Sequence, residues 1–187
     1  MFLVVGSDRF GAFHARQLRR AGRTDVEEVD GDYLAAVGSW LAAAGPEDHL
    51  VPNPLQPHLL WTWLAAELGL AAGAAPAGWG MPYETTGSDG ALYISAAAWT
   101  CPATCVEPAH CPVLHAPRDW DLGDMIEAGA RERGYEPAVF RCLHLLAGVG
   151  TVPAGSILEA RERLRGASRV LVATSSRCHA AMGALGR

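Results

Sequence analysis

The stretch FLVVGSDRFGAFHARQLRRAGRTDVEEVD, residues 2–30, decides the fold. Its first four residues are apolar and end at Gly6, which predicts a short buried strand followed by a tight turn. A helical pattern follows from Phe10 to Ala21, in which apolar side chains share one face and the arginines lie mostly outward. Residues 25–30 form a short alternating segment and predict a second strand. The order strand, glycine turn, helix and strand is that of a βαβ unit.

The segment VVGSDRFGAFHARQL (residues 4–18), followed by Asp30, resembles the start of a Rossmann-type nucleotide-binding domain, in particular that of regulator-of-potassium-conductance proteins. In this resemblance Gly6 and Gly11 are the first and third glycines of the dinucleotide fingerprint. Asp30 is the acid that binds the ribose hydroxyls, and the implied cofactor is NAD or another nucleotide. Asp8 stands where a second glycine lets the backbone approach the pyrophosphate, and a carboxylate there adds bulk and like-charge repulsion. The resemblance implies a Rossmann-like scaffold, and Asp8 favours an empty or repurposed nucleotide site over NAD binding.

The remainder of the chain continues to alternate predicted helices and strands. The predicted helices cover residues 32–45, 57–70, 122–133, 153–165 and 175–184, and the predicted strands cover residues 49–51, 91–98, 137–146 and 170–174. Between them, residues 73–90 are rich in glycine, alanine and proline and predict a loop that crosses the sheet. Because β and α alternate throughout, we expect residues 1–187 to form a single-domain Rossmann-like α/β fold with a doubly wound, mostly parallel sheet.

Composition restricts the class of protein. The chain has 187 residues, of which 50% are hydrophobic and 19% charged, as in an ordinary globular domain. Its net charge of −5 gives no basic surface, so we expect no nucleic-acid partner. The longest apolar region, residues 59–80, is interrupted by Glu67, glycines and Pro76, and the apolar start is too short for a signal peptide. We therefore expect a cytoplasmic protein without a membrane partner. Every basic residue is arginine, which is typical of a GC-rich bacterial genome.

A Cys- and Pro-rich loop, residues 100–120, is inserted into this scaffold with the sequence TCPATCVEPAHCPVLHAPRDW. It contains Cys101, Cys105 and Cys111, and proline follows two of them directly. Each proline removes a backbone donor and fixes φ, so the loop favours neither a helix nor a strand. In a reducing compartment such cysteines are more often metal ligands, reactive thiols or core residues than disulfides. The spacing C-x3-C-x5-C matches no common zinc ribbon, whereas cysteine before proline recurs in iron–sulfur ligand runs. We predict a [4Fe–4S] cluster, with structural zinc as the alternative.

A fourth ligand is predicted near the end of the chain. Cys178 and His179 stand at the start of the predicted last helix, on the carboxyl side of a strand, where the helix dipole favours a thiolate. Cys178 is therefore a fourth ligand, a reactive thiol facing the metal, or a small buried residue at a helix start. Cys142 lies in the middle of an apolar strand, where inert packing in the core is the stronger interpretation.

Three classes of function follow from these residues. The first is a [4Fe–4S] protein with a redox role, which transfers electrons to a partner protein or senses oxidants. The second is an iron–sulfur enzyme whose open iron acts as a Lewis acid on a small-molecule substrate, with His179, His115 or Glu107 as acid/base candidates. The third is a module with structural zinc that binds a nucleotide or a partner protein. Glu107, His110 and His115 are otherwise metal ligands, groups that hydrogen-bond to the ligands, or solvated residues of the loop.

Overall fold

The computed structural model describes residues 1–99, 101–102, 105–146 and 148–187. Thr100, Ala103 and Thr104 of the predicted metal-binding loop, and Ala147 after the predicted strand of residues 137–146, lie outside the described residues. The helices are α1 (Arg9–Arg20), α2 (Tyr33–Ala43), α3 (Leu59–Leu68), α4 (Leu122–Glu132) and α5 (Ala154–Arg163). The strands are β1 (Phe2–Val5), β2 (Val26–Val29), β3 (His49–Val51), β4 (Ala71–Gly73), β5 (Tyr83–Thr86), β6 (Leu92–Ser95), β7 (His110–Cys111), β8 (Ala116–Pro117), β9 (Glu136–Arg141), β10 (Leu143–Leu146), β11 (Val149–Pro153), β12 (Arg169–Ser175) and β13 (His179–Gly186).

The strands form two mixed sheets and a short hairpin. The first sheet has the order β10-β11-β3-β1-β2, in which β1 is parallel to β2 and β3, while β11 is antiparallel to β3 and β10. The second has the order β5-β6-β13-β12-β9, in which β9 and β12 are parallel and the other pairs antiparallel, with β4 also paired to β13. The hairpin joins β7 and β8. The predicted α/β class is confirmed, but the strands divide between two sheets where one mostly parallel sheet was predicted.

Helices cover both faces of each sheet. Helix α1 packs on one face of the first sheet, where Leu18 meets Val4 and Val51. Helices α2, α3 and α5 lie between the two sheets and share one core with both, and α4 covers the far face of the second sheet through Leu122 and Ile126. None of the helices in the described ranges is long and apolar enough to cross a bilayer.

The first six predicted elements, β1 to α3, are confirmed with small shifts at their ends. The glycines of the first turn have the conformations that such a turn needs. Gly6 has φ +85°, and a Cβ on Gly11 would lie 1.7 Å from the Gly6 carbonyl oxygen. Only a residue without a side chain lets α1 approach β1 this closely. Asp8 is the N-cap of α1, and Asp32 is the N-cap of α2.

The predicted last helix, residues 175–184, is wrong: the chain turns after β12 and returns antiparallel to it as β13. The alanines suggested a helix, but here alanine and glycine form a central strand because helices cover both of its faces closely. A Cβ on Gly183 would meet the Trp61 ring of α3 at 2.1 Å, and the Trp61 indole donates to the Ala184 carbonyl at 3.0 Å. Large side chains would not fit in this strand.

Three further predictions are corrected. The loop of residues 100–120, whose prolines were expected to exclude a strand, contains the hairpin of β7 and β8. The strand predicted for residues 137–146 is two strands, because the chain leaves the second sheet after β9 and enters the first as β10. The Cys142 N–H still donates to the Ser175 carbonyl at 2.7 Å, so Cys142 marks the point of crossing. The loop predicted for residues 73–90 contains β5, which pairs with β6. The strand predicted for residues 91–98 exists as β6, but in the second sheet.

Candidate functional site

Antiparallel pairing brings Cys178 to the cysteine loop. Ser95, the last residue of β6, pairs with His179, the first residue of β13. Just beyond this pair, the Ala96 N–H donates to the Cys178 carbonyl at 2.9 Å. Cys178 therefore lies in the turn between β12 and β13 and not at a helix start. It lies at the same end of the strands of the second sheet as the segment that leads from β6 into Cys101.

The first two cysteines of the loop are half-buried. Cys105 sulfur accepts the Glu107 backbone N–H at 3.3 Å. Desolvation raises the pKa of the Cys101 thiol, the Trp99 indole lowers it, and the nearby Cys105 and Cys111 thiols raise it further. Each of these two thiols, when charged, disfavours a second charge on Cys101.

Cys111 is almost fully buried, with 1% of its surface exposed. Its environment favours the thiolate, because the backbone N–H groups of Leu114 and Val113 and the Arg118 guanidinium lower its pKa. The β7–β8 hairpin positions these groups. At its open end, the Arg118 backbone N–H donates to the Ala109 carbonyl at 2.7 Å. A buried thiol with several N–H donors has the surroundings of a metal-bound cysteine.

Arg118 connects Cys111 with Cys178. Its side chain is buried, donates to the Pro108 carbonyl and stacks with its Cζ 5.7 Å from the Trp120 ring centroid. Burial opposes its charge, but Cys178, Glu107 and Cys111 hold the pKa of Arg118 above its usual value. Burial raises the pKa of Cys178, whereas the Trp120 indole and the Arg118 charge lower it and Glu107 raises it. Cys101 is among the groups that raise it, so Cys178 also belongs to the cluster of thiols.

Glu107 fixes the turn that contains Cys178. Its buried carboxylate accepts hydrogen bonds from the Ser176 hydroxyl at 2.7 Å and from the Arg177 backbone N–H at 2.6 Å. The Ser176 hydroxyl oxygen in turn lies 3.3 Å from the Cys178 N–H. Glu107 has φ +50°, a left-handed conformation that costs about 1–2 kcal/mol in a non-glycine residue and that the surrounding bonds must offset. Glu107 therefore acts as a positioning residue.

Three buried donors around the thiols have no hydrogen-bond acceptor of normal geometry among the described residues. They are Trp99 Nε1, Trp120 Nε1 and Arg118 Nε. An unpaired buried donor costs about 1–3 kcal/mol, so an acceptor for these donors would stabilise the folded chain. The two indoles lie toward the sulfurs of Cys101 and Cys178, whose pKa values they lower.

The other predicted site residues are spread around this cluster. His110 and His115 are exposed on the loop, and His179 lies exposed at the edge of a neighbouring cavity. Cys142 packs against the core with its sulfur 4.0 Å from a Cβ built on Gly150, and burial raises the pKa of its thiol to about 12. In the part of the chain that the structure describes, no three His, Cys, Asp or Glu side chains are arranged to hold a metal ion.

Sequence reasoning missed the residues that surround the thiols: Trp99, Arg118, Trp120, His144 and Ser176. Arg118 and Trp120 follow Cys111 closely in the chain, and this nearness was a signal that the loop sequence offered, although it does not show that Arg118 is buried. His144 and Ser176 carried no such signal, because their positions depend on the crossing between sheets. His144 Nδ1 lies 3.9 Å from the Glu107 carboxylate.

The predicted nucleotide-binding residues lie together, but their side chains are already engaged. The Asp8 carboxylate accepts the N–H groups of Phe10 at 2.7 Å and Gly11 at 3.1 Å, and the Asn53 amide at 2.7 Å. It therefore occupies the helix N-terminus where a pyrophosphate would lie. Asp30 accepts from the Ser7 hydroxyl at 2.5 Å and from the Tyr33 hydroxyl at 3.1 Å. These residues do not fit a dinucleotide.

Comparison with known proteins gives a family. Residues 58–187 match the sequence model AF_1314_C, described as "Uncharacterized protein, C-terminal domain", and because this is more than two thirds of the chain, the protein belongs to that family. The matched region contains all five cysteines and the whole second sheet, and it begins after β3. No curated protein and no solved structure matches the chain.

Proposed function

We propose that this member of the AF_1314_C family binds a [4Fe–4S] cluster through Cys101, Cys105, Cys111 and Cys178 and has a redox role. The observation that carries the proposal is the meeting of a three-cysteine loop with a fourth cysteine from a distant hairpin. Four thiols that belong to two separate segments are a common ligand set for such clusters. A cytoplasmic location, where thiols stay reduced, is part of the proposal.

The chemistry of the surroundings supports a thiolate-bound group. Cluster sulfurs and cysteine thiolates accept N–H hydrogen bonds, and the site has backbone N–H groups at Cys105 and Cys111. It also has the three buried donors of Trp99, Trp120 and Arg118, for which the described part of the chain offers no acceptor of normal geometry. The Arg118 charge offsets the negative charge that four thiolates would bring into a partly buried site. The donor set therefore fits an anionic sulfur-rich group.

A bound cluster would supply one-electron transfer, and the chain's own residues would set its potential. N–H donors and a buried cation stabilise the more negative, reduced state, so Arg118 and the two indoles raise the reduction potential. Glu107 holds the Cys178 turn, and burial of Cys111 and Cys178 keeps water from that side. Because the Glu107 carboxylate accepts two hydrogen bonds, its role is positioning rather than proton transfer.

Structural zinc is the second candidate, because four cysteines also form a tetrahedral zinc site. The visible spectrum and the iron, sulfide and zinc content of protein purified without air separate the two. Brown protein with a broad band near ~400 nm and stoichiometric iron and sulfide supports the cluster. Colourless protein with one zinc supports the structural site, and protein without either group refutes the metal proposal.

A serine series assigns the ligands. We expect Cys101→Ser, Cys105→Ser, Cys111→Ser and Cys178→Ser each to lose the cluster or to lower its iron content severalfold. Cys142→Ser is the matched control, because Cys142 lies outside the loop and the Cys178 turn and packs against the core, and it should keep the cluster. Loss of iron in Cys142→Ser together with retention in Cys178→Ser would contradict the ligand assignment.

For the scaffold, we propose that β1–α1–β2–α2–β3 is a Rossmann-like unit whose nucleotide site is closed by its own side chains. The close approach at Gly11 and the turn at Gly6 support the likeness, and Asp8 at the helix N-terminus accounts for the closure. Equilibrium dialysis with NAD should therefore show no saturable binding, whereas stoichiometric binding would refute the closure.

A further inference from the structure

Helix α1 and the turn that follows it form a strongly basic segment of the chain. Residues 9–23 contain five arginines and no carboxylate, whereas the rest of the chain has ten arginines against twenty carboxylates. The net charge of −5 therefore combines a segment of charge +5 with a remainder of charge −10. The net charge alone does not show this separation.

Three of these arginines form one stripe along the outward face of α1. Arg9, Arg16 and Arg20 are spaced by seven and four residues, so they lie on the same side of the helix, and all three are exposed. At a rise of 1.5 Å per residue the stripe is about 16 Å long. The opposite side of α1 carries Ala15 and Leu18, which are 1% and 0% exposed. The stripe therefore faces solvent directly.

The charges of the stripe are not neutralised by neighbouring acids. Within the residues that the structure describes, no carboxylate oxygen lies within 4.0 Å of these three guanidinium groups. Two acids that do lie close to α1 are engaged elsewhere. The Glu28 carboxylate accepts from Arg19 at 2.6 Å, and the Asp8 carboxylate accepts the N–H groups of Phe10 and Gly11 at the helix N-cap. The stripe is therefore a free cationic surface.

An aromatic ring lies within the stripe. Phe13 is four residues after Arg9 and three before Arg16, so it lies between them on the same face, and it is half-buried. Its ring meets the His14 ring edge to face, with the centroids 5.8 Å apart, which holds it in place. The outward face of α1 thus places a flat ring among exposed cations.

Arginines around an aromatic ring fit single-stranded nucleic acid. The guanidinium fork hydrogen-bonds to two oxygens of a phosphate, and an unpaired base stacks on an aromatic ring. In a duplex the bases are stacked on one another and reach a ring only after unstacking. A membrane surface fits less well, because a helix binds a bilayer by burying its apolar face, and that face of α1 packs on the first sheet.

We propose that the stripe of Arg9, Phe13, Arg16 and Arg20 binds single-stranded nucleic acid, with the arginines on three phosphates and the ring against one base. Because neither contact reads a base edge, binding does not depend on base sequence. The proposal departs from the expectation based on net charge, which does not show how the charges are distributed. It goes beyond the proposed function and does not depend on the cluster, so metal content and nucleic-acid binding succeed or fail separately.

The test is a fluorescence-anisotropy titration of two labelled strands with the full chain. One is an oligothymidylate of about fifteen nucleotides, and the other is an abasic strand with the same phosphates. Each phosphate contact on a single strand contributes about −0.7 to the slope of log K against log salt, so three contacts give a slope of about −2. We expect a Kd for oligothymidylate of about 10 μM in about 50 mM NaCl and about 100 μM in about 150 mM NaCl. The abasic strand should bind at least about fivefold more weakly, because no base stacks on the ring.

Substitutions assign the contacts. Arg16→Gln and Arg20→Gln should each reduce the magnitude of the slope by about 0.7 and weaken binding severalfold, and Arg16→Glu combined with Arg20→Glu should remove binding. Phe13→Leu keeps an apolar side chain without a flat ring, so it should weaken oligothymidylate about fivefold and leave the slope and the abasic strand unchanged. Arg165→Gln is the matched control, because it removes the same charge from an exposed arginine after α5, and it should bind like the native chain.

Absence of saturable binding in about 50 mM NaCl would overturn the proposal. Equal binding of the two strands, or an effect of Arg165→Gln as large as that of Arg16→Gln, would do the same. Tighter binding to vesicles with about 30% phosphatidylserine than to oligothymidylate would also overturn it, because the stripe would then be a surface for anionic lipid.

Discussion

Glu107→Gln tests how the turn with Cys178 is held. The carboxylate accepts the Ser176 hydroxyl at 2.7 Å and the Arg177 N–H at 2.6 Å, and it also helps to balance the buried Arg118. Glutamine has nearly the same shape but one acceptor oxygen, so its NH₂ group must face one of the two donors. A hydrogen bond to a charged group contributes about 1.5–3 kcal/mol, and a buried donor without a partner costs about 1–3 kcal/mol. We expect the variant to lower the free energy of unfolding by about 2 kcal/mol.

The measurement is urea unfolding of reduced, metal-free protein, combined with thiol labelling under native conditions. A loss of about 2 kcal/mol in the local opening of the turn increases the open population about 30-fold, because RT is about 0.59 kcal/mol. Labelling of Cys178, followed by mass spectrometry of its peptide, should therefore accelerate by about 30-fold. Labelling of Cys142 should accelerate less, because it belongs to the crossing between sheets and not to the turn.

Glu159→Gln is the matched control, since Glu159 is an exposed glutamate on α5 for which no ion pair is seen in the described residues. It should change stability by less than about 0.5 kcal/mol and leave the labelling rate unchanged. Native stability of Glu107→Gln, with Cys178 labelled no faster than in the native chain, would refute the positioning role of Glu107.

Two further predictions concern backbone approach and acid stability. Gly11→Ala should destabilise the protein by more than about 3 kcal/mol in urea unfolding, because its Cβ would lie 1.7 Å from a backbone oxygen. Gly38→Ala in α2 should be neutral or stabilise the protein by up to about 1 kcal/mol, because its Cβ would meet only the Trp63 indole nitrogen, at 3.6 Å. Equal effects of the two changes would contradict the packing. The pKa of His14 lies below its ordinary value of 6.5, so the unfolded chain binds a proton that the folded chain does not. Stability should therefore fall as the pH drops below about 6.5, by at most about 1.4 kcal/mol per pH unit for this group, and His14→Phe should reduce that slope in unfolding titrations between pH 7 and 5.

The first half of the chain was predictable because each element carries its own local signals. Asp8 and Asp32 cap their helices through side-chain bonds to backbone N–H groups, as does Asp121 before α4. The helical faces of α1 and α4 follow a clear period of apolar residues. Such signals act within a few residues and do not depend on where the element packs.

The last strand was not predictable by the same means. β13 consists almost entirely of alanine, glycine and other apolar residues, and it is buried on both faces. Its helix propensity is high, but the Trp61 ring lies directly on Gly183, and a helix could not fit between α3 and α4 with that contact. Tertiary packing therefore overrides local propensity, and only knowledge of the neighbouring helices would have revealed it.

The candidate site was also predictable only where local sequence signals identify its residues. Cys101, Cys105 and Cys111 stood out because three cysteines lie within eleven residues, and their grouping needed no tertiary information. Their prolines did not exclude regular structure, because Cys111 belongs to β7 and Pro117 to β8. Arg118 and Glu107 became significant only when the hairpin turn was placed against them. Both are buried, and a sequence alone gives no sign of which charged residues are buried.

The position of Cys178 follows from the antiparallel pairing rather than from the predicted helix. In the predicted parallel sheet, the carboxyl ends of the strands of residues 91–98 and 170–174 would have brought Cys178 near the loop. In the actual sheet, the end of β6 pairs with the beginning of β13, and this pairing also places Cys178 near the loop. Cys178 is therefore held by strand pairing on one side and by Glu107 on the other. A metal bound by Cys178 and the loop would add a further link between these two segments. Because such a group binds the folded chain alone, its binding energy adds to the stability of the second sheet.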